Sequence, residues 1–167
     1  MYKYYINGEW IDSTKAKISF NDSGFLYGDG LFETMRFDNN KIFSYKKHLQ
    51  RLIKSLKIID LNINKSESEL FILLKKVMNK NDLNSGIIRL MVTRGEVNIN
   101  IPSIYISIKP FYEIPKNAVK VVYLDETKFP IIRFNPAIKS INYLGNMLAK
   151  KATKKLNAFE PIFYNNN

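Results

Sequence analysis

Apolar residues change their spacing several times along this chain, and each change marks an element. Around Asn7-Gly8, the pair favoured in a type I′ turn, short alternating runs through residues 2–6 and 9–11 predict a hairpin. A loop holding Asn21-Asp-Ser-Gly24 and Gly28-Asp-Gly30 follows. Leu31 to Phe37 then reads as a strand that turns at Asp38-Asn39-Asn40 and returns through Ile42 and Phe43. Alternation puts Phe32, Thr34 and Arg36 on one face of that strand and Leu31, Glu33, Met35 and Phe37 on the other.

From Ser44 the spacing becomes helical. Tyr45, Leu49, Leu52, Ile53 and Leu56 form a stripe with Lys46, Lys47, Gln50, Lys54 and Lys57 outward, and His48, Arg51 and Ser55 flank it together. A second helix opens with Ser66 and Glu69 at capping-box spacing and carries Leu70, Leu73, Leu74, Val77 and Met78 on one side. Strands are predicted over residues 87–94, at the alternating Ile104, Ile106 and Ile108, and in the β-branched run 119–124. Hairpin, strands, two helices and further strands define an α+β domain over residues 1–115.

Pro110, Pro115 and Lys116-Asn117 read as a connector to a second unit, residues 116–167. Its helix has Leu144, Met147, Leu148, Ala152 and Leu156 as the apolar side, Lys150, Lys151, Lys154 and Lys155 as the wet side, and Asn142 as its cap. A strand over residues 160–164 leads into Asn165-Asn166-Asn167, a turn with no returning strand. The second unit is therefore expected to be incomplete.

Composition narrows the classes. A chain of 167 residues, 46% of them apolar, suffices for one domain burying about 70% of its unfolded surface, or for one domain and part of another. It has no apolar run of membrane-spanning length and no signal-peptide pattern, so a soluble cytoplasmic protein is expected. With no cysteine and His48 as the single histidine, disulfides, thiolate metal sites and multi-histidine metal centres are excluded, and no metal is expected. The net charge of +11 comes mostly from dispersed lysines without a compact basic stripe, which argues against nucleic acid as a partner. A non-catalytic basic protein that binds nucleic acid is retained only as a remote alternative. Arginine occurs only at Arg36, Arg51, Arg89, Arg94 and Arg133, and its planar fork suits carboxylates and phosphates.

Lys139 stands out, in the run Asn135-Pro-Ala-Ile-Lys-Ser-Ile-Asn-Tyr-Leu144 just ahead of a helix. The helix dipole and the apolar neighbours Ile138 and Ile141 would favour its neutral amine, the form that attacks carbonyls and makes Schiff bases. An ordinary solvated lysine is the plain alternative. The glycines at 24, 28 and 30 do not make a dinucleotide fingerprint, because Glu33 occupies the third position and a strand follows; a tight turn using positive φ accounts for Gly28 and Gly30. Arg51 reads either as a helix-surface charge or as an anion clamp. His48 reads as a packing or hydrogen-bonding residue.

Together these motifs carry a resemblance. Leu26-Tyr-Gly-Asp-Gly-Leu-Phe-Glu-Thr-Met-Arg36, His48-Leu-Gln-Arg-Leu52 and Ile138-Lys-Ser-Ile-Asn-Tyr-Leu144 follow one another as in class IV aminotransferases, the fold-type IV pyridoxal-phosphate enzymes that include branched-chain and D-amino-acid aminotransferases and 4-amino-4-deoxychorismate lyases. The resemblance implies a D-amino-acid aminotransferase-like fold, with the small N-terminal domain complete and the larger C-terminal domain truncated after its start. It implies that Lys139 forms the Schiff base with pyridoxal 5′-phosphate and moves the substrate proton, that Arg51 holds the cofactor phosphate, and that Tyr143 contacts the pyridine hydroxyl. Tyr27, Phe32 and Arg36 fall at substrate-pocket positions, and Arg89 resembles an arginine that binds a substrate carboxylate.

The stretch after Thr93-Arg94-Gly95 lacks the Arg-x-His pair of D-amino-acid aminotransferases, which argues against D-specificity. The glutamate that pairs with the pyridine nitrogen in the family is absent, so the chain as given is expected to be inactive alone. The implied reaction moves an amino group from an amino acid, a branched-chain one being the candidate, to a 2-oxo acid within a homodimer, with no nucleic acid or membrane partner. Aminodeoxychorismate lyase, in folate and p-aminobenzoate synthesis, is the alternative.

Overall fold

Both residues of the Asn7-Gly8 turn take positive φ, as a type I′ pair requires, and they join β1 (Lys3–Ile6) to β2 (Glu9–Asp12). The description rests on a computed structural model and covers residues 1–99, 101–111, 115–134 and 137–165. The predicted loop before the long strand contains a short helix, α1 (Ser23–Tyr27). Its local signal is Asp22: the buried carboxylate accepts from the Gly24 and Phe25 amides and from the hydroxyls of Thr93 and Tyr105, tying α1 to the sheet. Burial, with Asp22 beside it, pushes the Tyr105 phenol up from its ordinary value.

Gly28 ends α1 at φ 70, in the left-handed conformation expected of it. Gly30 answers a different need. Its φ is not positive, but a Cβ there would lie 2.6 Å from the Val92 carbonyl oxygen, so it is glycine because the neighbouring strand passes so close.

β3 (Gly30–Asp38) turns at Asn39 and Asn40, both at positive φ, into β4 (Lys41–Ile42). Then come α2 (Tyr45–Ile58), α3 (Glu67–Asn79), β5 (Ser85–Thr93) and β6 (Ser103–Pro110). The reciprocal Ser66–Glu69 capping box is formed: the Glu69 amide donates to the Ser66 hydroxyl at 3.2 Å and the Ser66 amide to the Glu69 carboxylate at 2.8 Å. The strands make one six-stranded antiparallel sheet in the order β2-β1-β6-β5-β3-β4. On one face Leu31, Met35, Phe37, Ile88, Leu90, Val92, Ile104, Ile106 and Ile108 share a core with Leu49, Leu52 and Leu56 of α2 and Leu70, Leu74 and Val77 of α3. The strand alternation predicted for residues 31–37 matches this burial.

Two compact units emerge, residues 1–112 with 136–141 and residues 113–135 with 142–167. This differs from the contiguous division expected at residues 115 and 116, and the reason is backbone hydrogen bonding. Ser140 bridges Leu31, the Phe32 amide donates to the Lys139 carbonyl at 3.0 Å and the Ile141 amide to the Gly30 carbonyl at 3.1 Å, so the lysine-bearing segment adds to the edge of β3.

In the second unit, β7 (Val121–Asp125) and β8 (Glu160–Tyr164) pair in parallel, and α4 (Leu144–Lys155) lies against both. Two expectations fail here. The helix is capped at Tyr143 without a side-chain hydrogen bond, not at Asn142, and its buried residues are Gly145, Ala149 and Thr153. Leu144, Met147, Leu148 and Leu156, expected inward, are exposed, Leu144 at 73%. Small residues every four positions let α4 approach its neighbours closely: a Cβ on Gly145 would lie 1.8 Å from the Pro130 carbonyl oxygen. The motif residues Asn135 and Pro136, Asn100 in the stretch after Gly95, and the terminal Asn166 and Asn167 lie outside the described residues.

Candidate active site

β3 presents two neighbouring residues to opposite faces of the sheet, and a different cationic group meets each. Because Leu31 and Ser140 pair antiparallel, Phe32 and Lys139 stand opposite one another and share a face. The Lys139 Nζ lies 4.3 Å from the centroid of the Phe32 ring. Register brings Arg89 to the same place: it pairs with Thr34 across β3 and β5, donates from Nε to the Thr34 hydroxyl at 3.2 Å, and holds its guanidinium carbon 4.9 Å from the Phe32 centroid. An amine and a guanidinium thus share one aromatic ring on the face of the sheet away from α2 and α3.

The pairings extend this face. Phe32, Met91 and Tyr105 form one row, Thr34, Arg89 and Ser107 the next, and Arg36, Ile87 and Lys109 the third. A hollow of about 240 Å³ lies there, lined by Tyr4, Thr34, Ile87, Arg89, Ser107, Ile108 and Lys109. Arg36 is held over the rings of Phe43 and Phe111 at 5.5 and 4.5 Å. The three cations Arg36, Arg89 and Lys109, with the hydroxyls of Thr34 and Ser107 between them, suit a carboxylate ligand.

On the opposite face, Glu33 sits among apolar neighbours at 1% exposure, which a carboxylate tolerates only when paired. Arg51 supplies a side-on fork, Nε to Oε1 at 2.5 Å and Nη2 to Oε2 at 2.6 Å, and His48 Nδ1 lies 2.7 Å from Oε2. Since an ionised carboxylate only accepts, His48 carries its proton on Nδ1 and donates it to Glu33. Sequence reasoning grouped His48 with Arg51 but missed Glu33. The clue was available: one carboxylate on an otherwise apolar strand face, beside a helix whose flank offers a histidine and an arginine.

The remaining assignments are placed as follows. Tyr27 ends α1 with 69% exposure, and Tyr143 caps α4 in the second unit. Arg94, undirected by sequence, is a brace: it donates from Nε to Asp29 at 2.6 Å and from Nη2 and Nη1 to the carbonyls of Ile59 and Asp60, joining the loop before β3 to the end of α2. The Asp29 carboxylate raises the Arg94 guanidinium above its already high ordinary value. Arg133 pairs with Glu126 in the second unit.

A lysine beside the edge of β3, a cation-rich sheet face and a helix arginine braced by a buried acid are thus the groups the fold sets about the two faces of β3. The sequence model described as amino-transferase class IV matches residues 30–167, and the chain belongs to that family. D-alanine aminotransferase of Staphylococcus aureus (strain MSSA476) is 35% identical over 97% of this chain and 60% of its own. A putative branched-chain-amino-acid aminotransferase of Methanocaldococcus jannaschii is 33% identical over 89% of this chain and 54% of its own.

Among solved structures, Escherichia coli branched-chain amino acid aminotransferase matches with a TM-score of 0.85 at 22% identity, over 99% of this chain and 60% of that one. The pyridoxal-phosphate-bound form of a hypothetical aminotransferase from Mycobacterium tuberculosis matches with a TM-score of 0.81 at 19% identity, over 98% of this chain and 62% of that one. At these identities the structures speak for the fold. The chain spans about 60% of the length of the curated relatives it matches. Class IV aminotransferases depend on pyridoxal phosphate. Among the described residues, no helix is long and apolar enough to cross a membrane.

Proposed function

We propose that this chain carries the lysine and one phosphate-binding arginine of a pyridoxal-phosphate-dependent aminotransferase that moves an amino group from an amino acid to a 2-oxo acid. The observation that carries the reading is the pairing of the Lys139 amine with Arg89 over one Phe32 ring, on a sheet face rich in cations. In this proposal residues 1–115 belong to the small domain and 116–167 to the cofactor domain, with residues 136–141 returning to the edge of β3.

The side chains fit the cofactor by the chemistry of their donors. An amine suits its aldehyde, and a guanidinium braced by a buried carboxylate, yet half-exposed, suits its phosphate. Bound, the cofactor supplies the electron sink for carbanion charge at the substrate Cα. Lys139 would hold it through its amine and, once displaced by the substrate amine, would move the proton at that Cα. Arg89, with Arg36 beside it on the sheet, holds the substrate carboxylate, and the Phe32 ring keeps water from the amine. Tyr143 orients the pyridine hydroxyl and Tyr27 borders the substrate. A cytoplasmic homodimer with no membrane or nucleic-acid partner belongs to the same proposal.

For the donor, Arg89 and the missing Arg-x-His pair favour a branched-chain L-amino acid. The D-alanine aminotransferases among the relatives favour D-alanine as a second reading. The test is single-turnover reaction of the complete, cofactor-loaded protein with L-leucine, D-alanine and aminodeoxychorismate, following amino-group transfer to the cofactor and release of 4-aminobenzoate. Transfer from an amino acid supports the proposal. Release of 4-aminobenzoate without such transfer would replace it with the lyase alternative.

A further inference from the structure

Glu33 and Asp22, each 1% exposed, are the two most deeply buried carboxylates described, and the chemistry above does not use Glu33 directly. Its surroundings are built rather than incidental. It is the one charged position among the strand's inward-facing Leu31, Met35 and Phe37, and α2 brings His48 and Arg51, one helical turn apart, onto its two oxygens.

The fork has a definite sense. It consumes the Nε and Nη2 edge of the guanidinium, leaving the planar group fixed with its Nη1 end on the opposite side, and the Arg51 side chain is 50% exposed while Glu33 is 1% exposed. An arginine on an exposed helix flank would otherwise spread over many rotamers and lose entropy on meeting a phosphate; one clamped from behind by a buried carboxylate has already lost it. The expected clamp therefore acquires an orientation: its Nε–Nη2 edge belongs to Glu33, and the proposed phosphate contact falls to the remainder of the guanidinium.

We propose that Glu33 is a positioning residue for the cofactor phosphate, acting through Arg51, with His48 holding the second oxygen of the carboxylate so that the fork cannot swing. The inference rests on the function proposed above. Glu33 touches neither substrate nor cofactor in it. Its contribution is selectivity for the phosphorylated form of the cofactor over the same ring without phosphate.

The experiment compares the affinities of the complete protein, as apoprotein, for pyridoxal 5′-phosphate and for pyridoxal, in the wild type, Glu33→Gln, Glu33→Asp, Arg51→Lys and the Glu33→Gln/Arg51→Lys pair. Glu33→Gln should weaken pyridoxal-phosphate binding by about tenfold or more, the size of one charge-assisted hydrogen bond, and pyridoxal binding by less than about twofold. Glu33→Asp keeps the charge on a shorter stem and should fall between Gln and wild type. It carries the comparison should Gln prevent folding. Adding Glu33→Gln to Arg51→Lys should cost far less than Glu33→Gln does alone, since its route is already cut.

Equal loss of both ligands, or full additivity in the double variant, overturns the positioning role while leaving the proposed function standing. Failure of the wild type to bind pyridoxal phosphate at all overturns the function and this inference together.

Discussion

Alanine at position 139 keeps every backbone hydrogen bond that fastens the segment to β3, because those bonds run from Phe32 and Ile141 amides to main-chain oxygens. Lys139→Ala should therefore melt like the wild type yet retain no cofactor after borohydride reduction; a covalently labelled variant would remove Lys139 from its proposed role. Arg51→Ala should show the reverse balance. It leaves Glu33 buried with only His48 of its two partners, and breaking a buried pair costs about 3–5 kcal/mol, here near the lower end because Arg51 is half in solvent. A loss below about 1 kcal/mol in urea unfolding would mean that the fork holds Glu33 weakly. Arg89→Gln should raise the KM for the amino acid while leaving cofactor affinity and melting unchanged, the pattern of lost substrate binding. Unaltered KM would return Arg89 to a surface role.

At the scale of elements, legibility tracked how local the cause was. The Ser66–Glu69 box, the Asn7-Gly8 turn and the two faces of β3 depend on neighbours in sequence, and all could be read there. Glu33 with Arg51 and His48, and the return of residues 136–141 to β3, depend on partners far along the chain. The stripe on α4 shows the limit from another side: periodicity announces an apolar face, but not which surface covers it, and the side that is buried is the one carrying Gly145, Ala149 and Thr153.

The α3 cap also has a pH signature. Hydrogen bonds from the Ser66 side chain and amide hold the Glu69 carboxyl below its ordinary 4.5. A lowered folded value means that the stabilisation is fully present above that ordinary value and is lost as pH falls through the folded one. The difference in α3 amide protection between wild type and Glu69→Ala should thus be constant at neutral pH and narrow below 4.5. A difference that persists unchanged in acid would show that the carboxylate is not what stabilises the cap.

Across the whole molecule the two units differ in what they bury. The hydrophobic cluster formed by β3, β5, β6, α2 and α3 lies within the first unit, with fully buried Met35, Phe37, Leu49, Leu74, Ile88 and Leu90 among its members. Of the second unit's residues, Leu124 and Ala149 are the buried apolar ones described, while Val121, Tyr123, Leu144, Met147, Ile162 and Tyr164 all show large exposed fractions. Since apolar burial of about 25 cal/mol per Å² is the main term opposing chain entropy, local opening should be far cheaper in the second unit. Hydrogen exchange on the 167-residue chain should therefore be slowest at β3, β5 and β6, slow at Phe32 and Ile141 where the lysine segment joins β3, and faster by orders of magnitude in β7, α4 and β8. Equal protection in β7 and β5 would mean that the second unit draws stability from contacts beyond those within it.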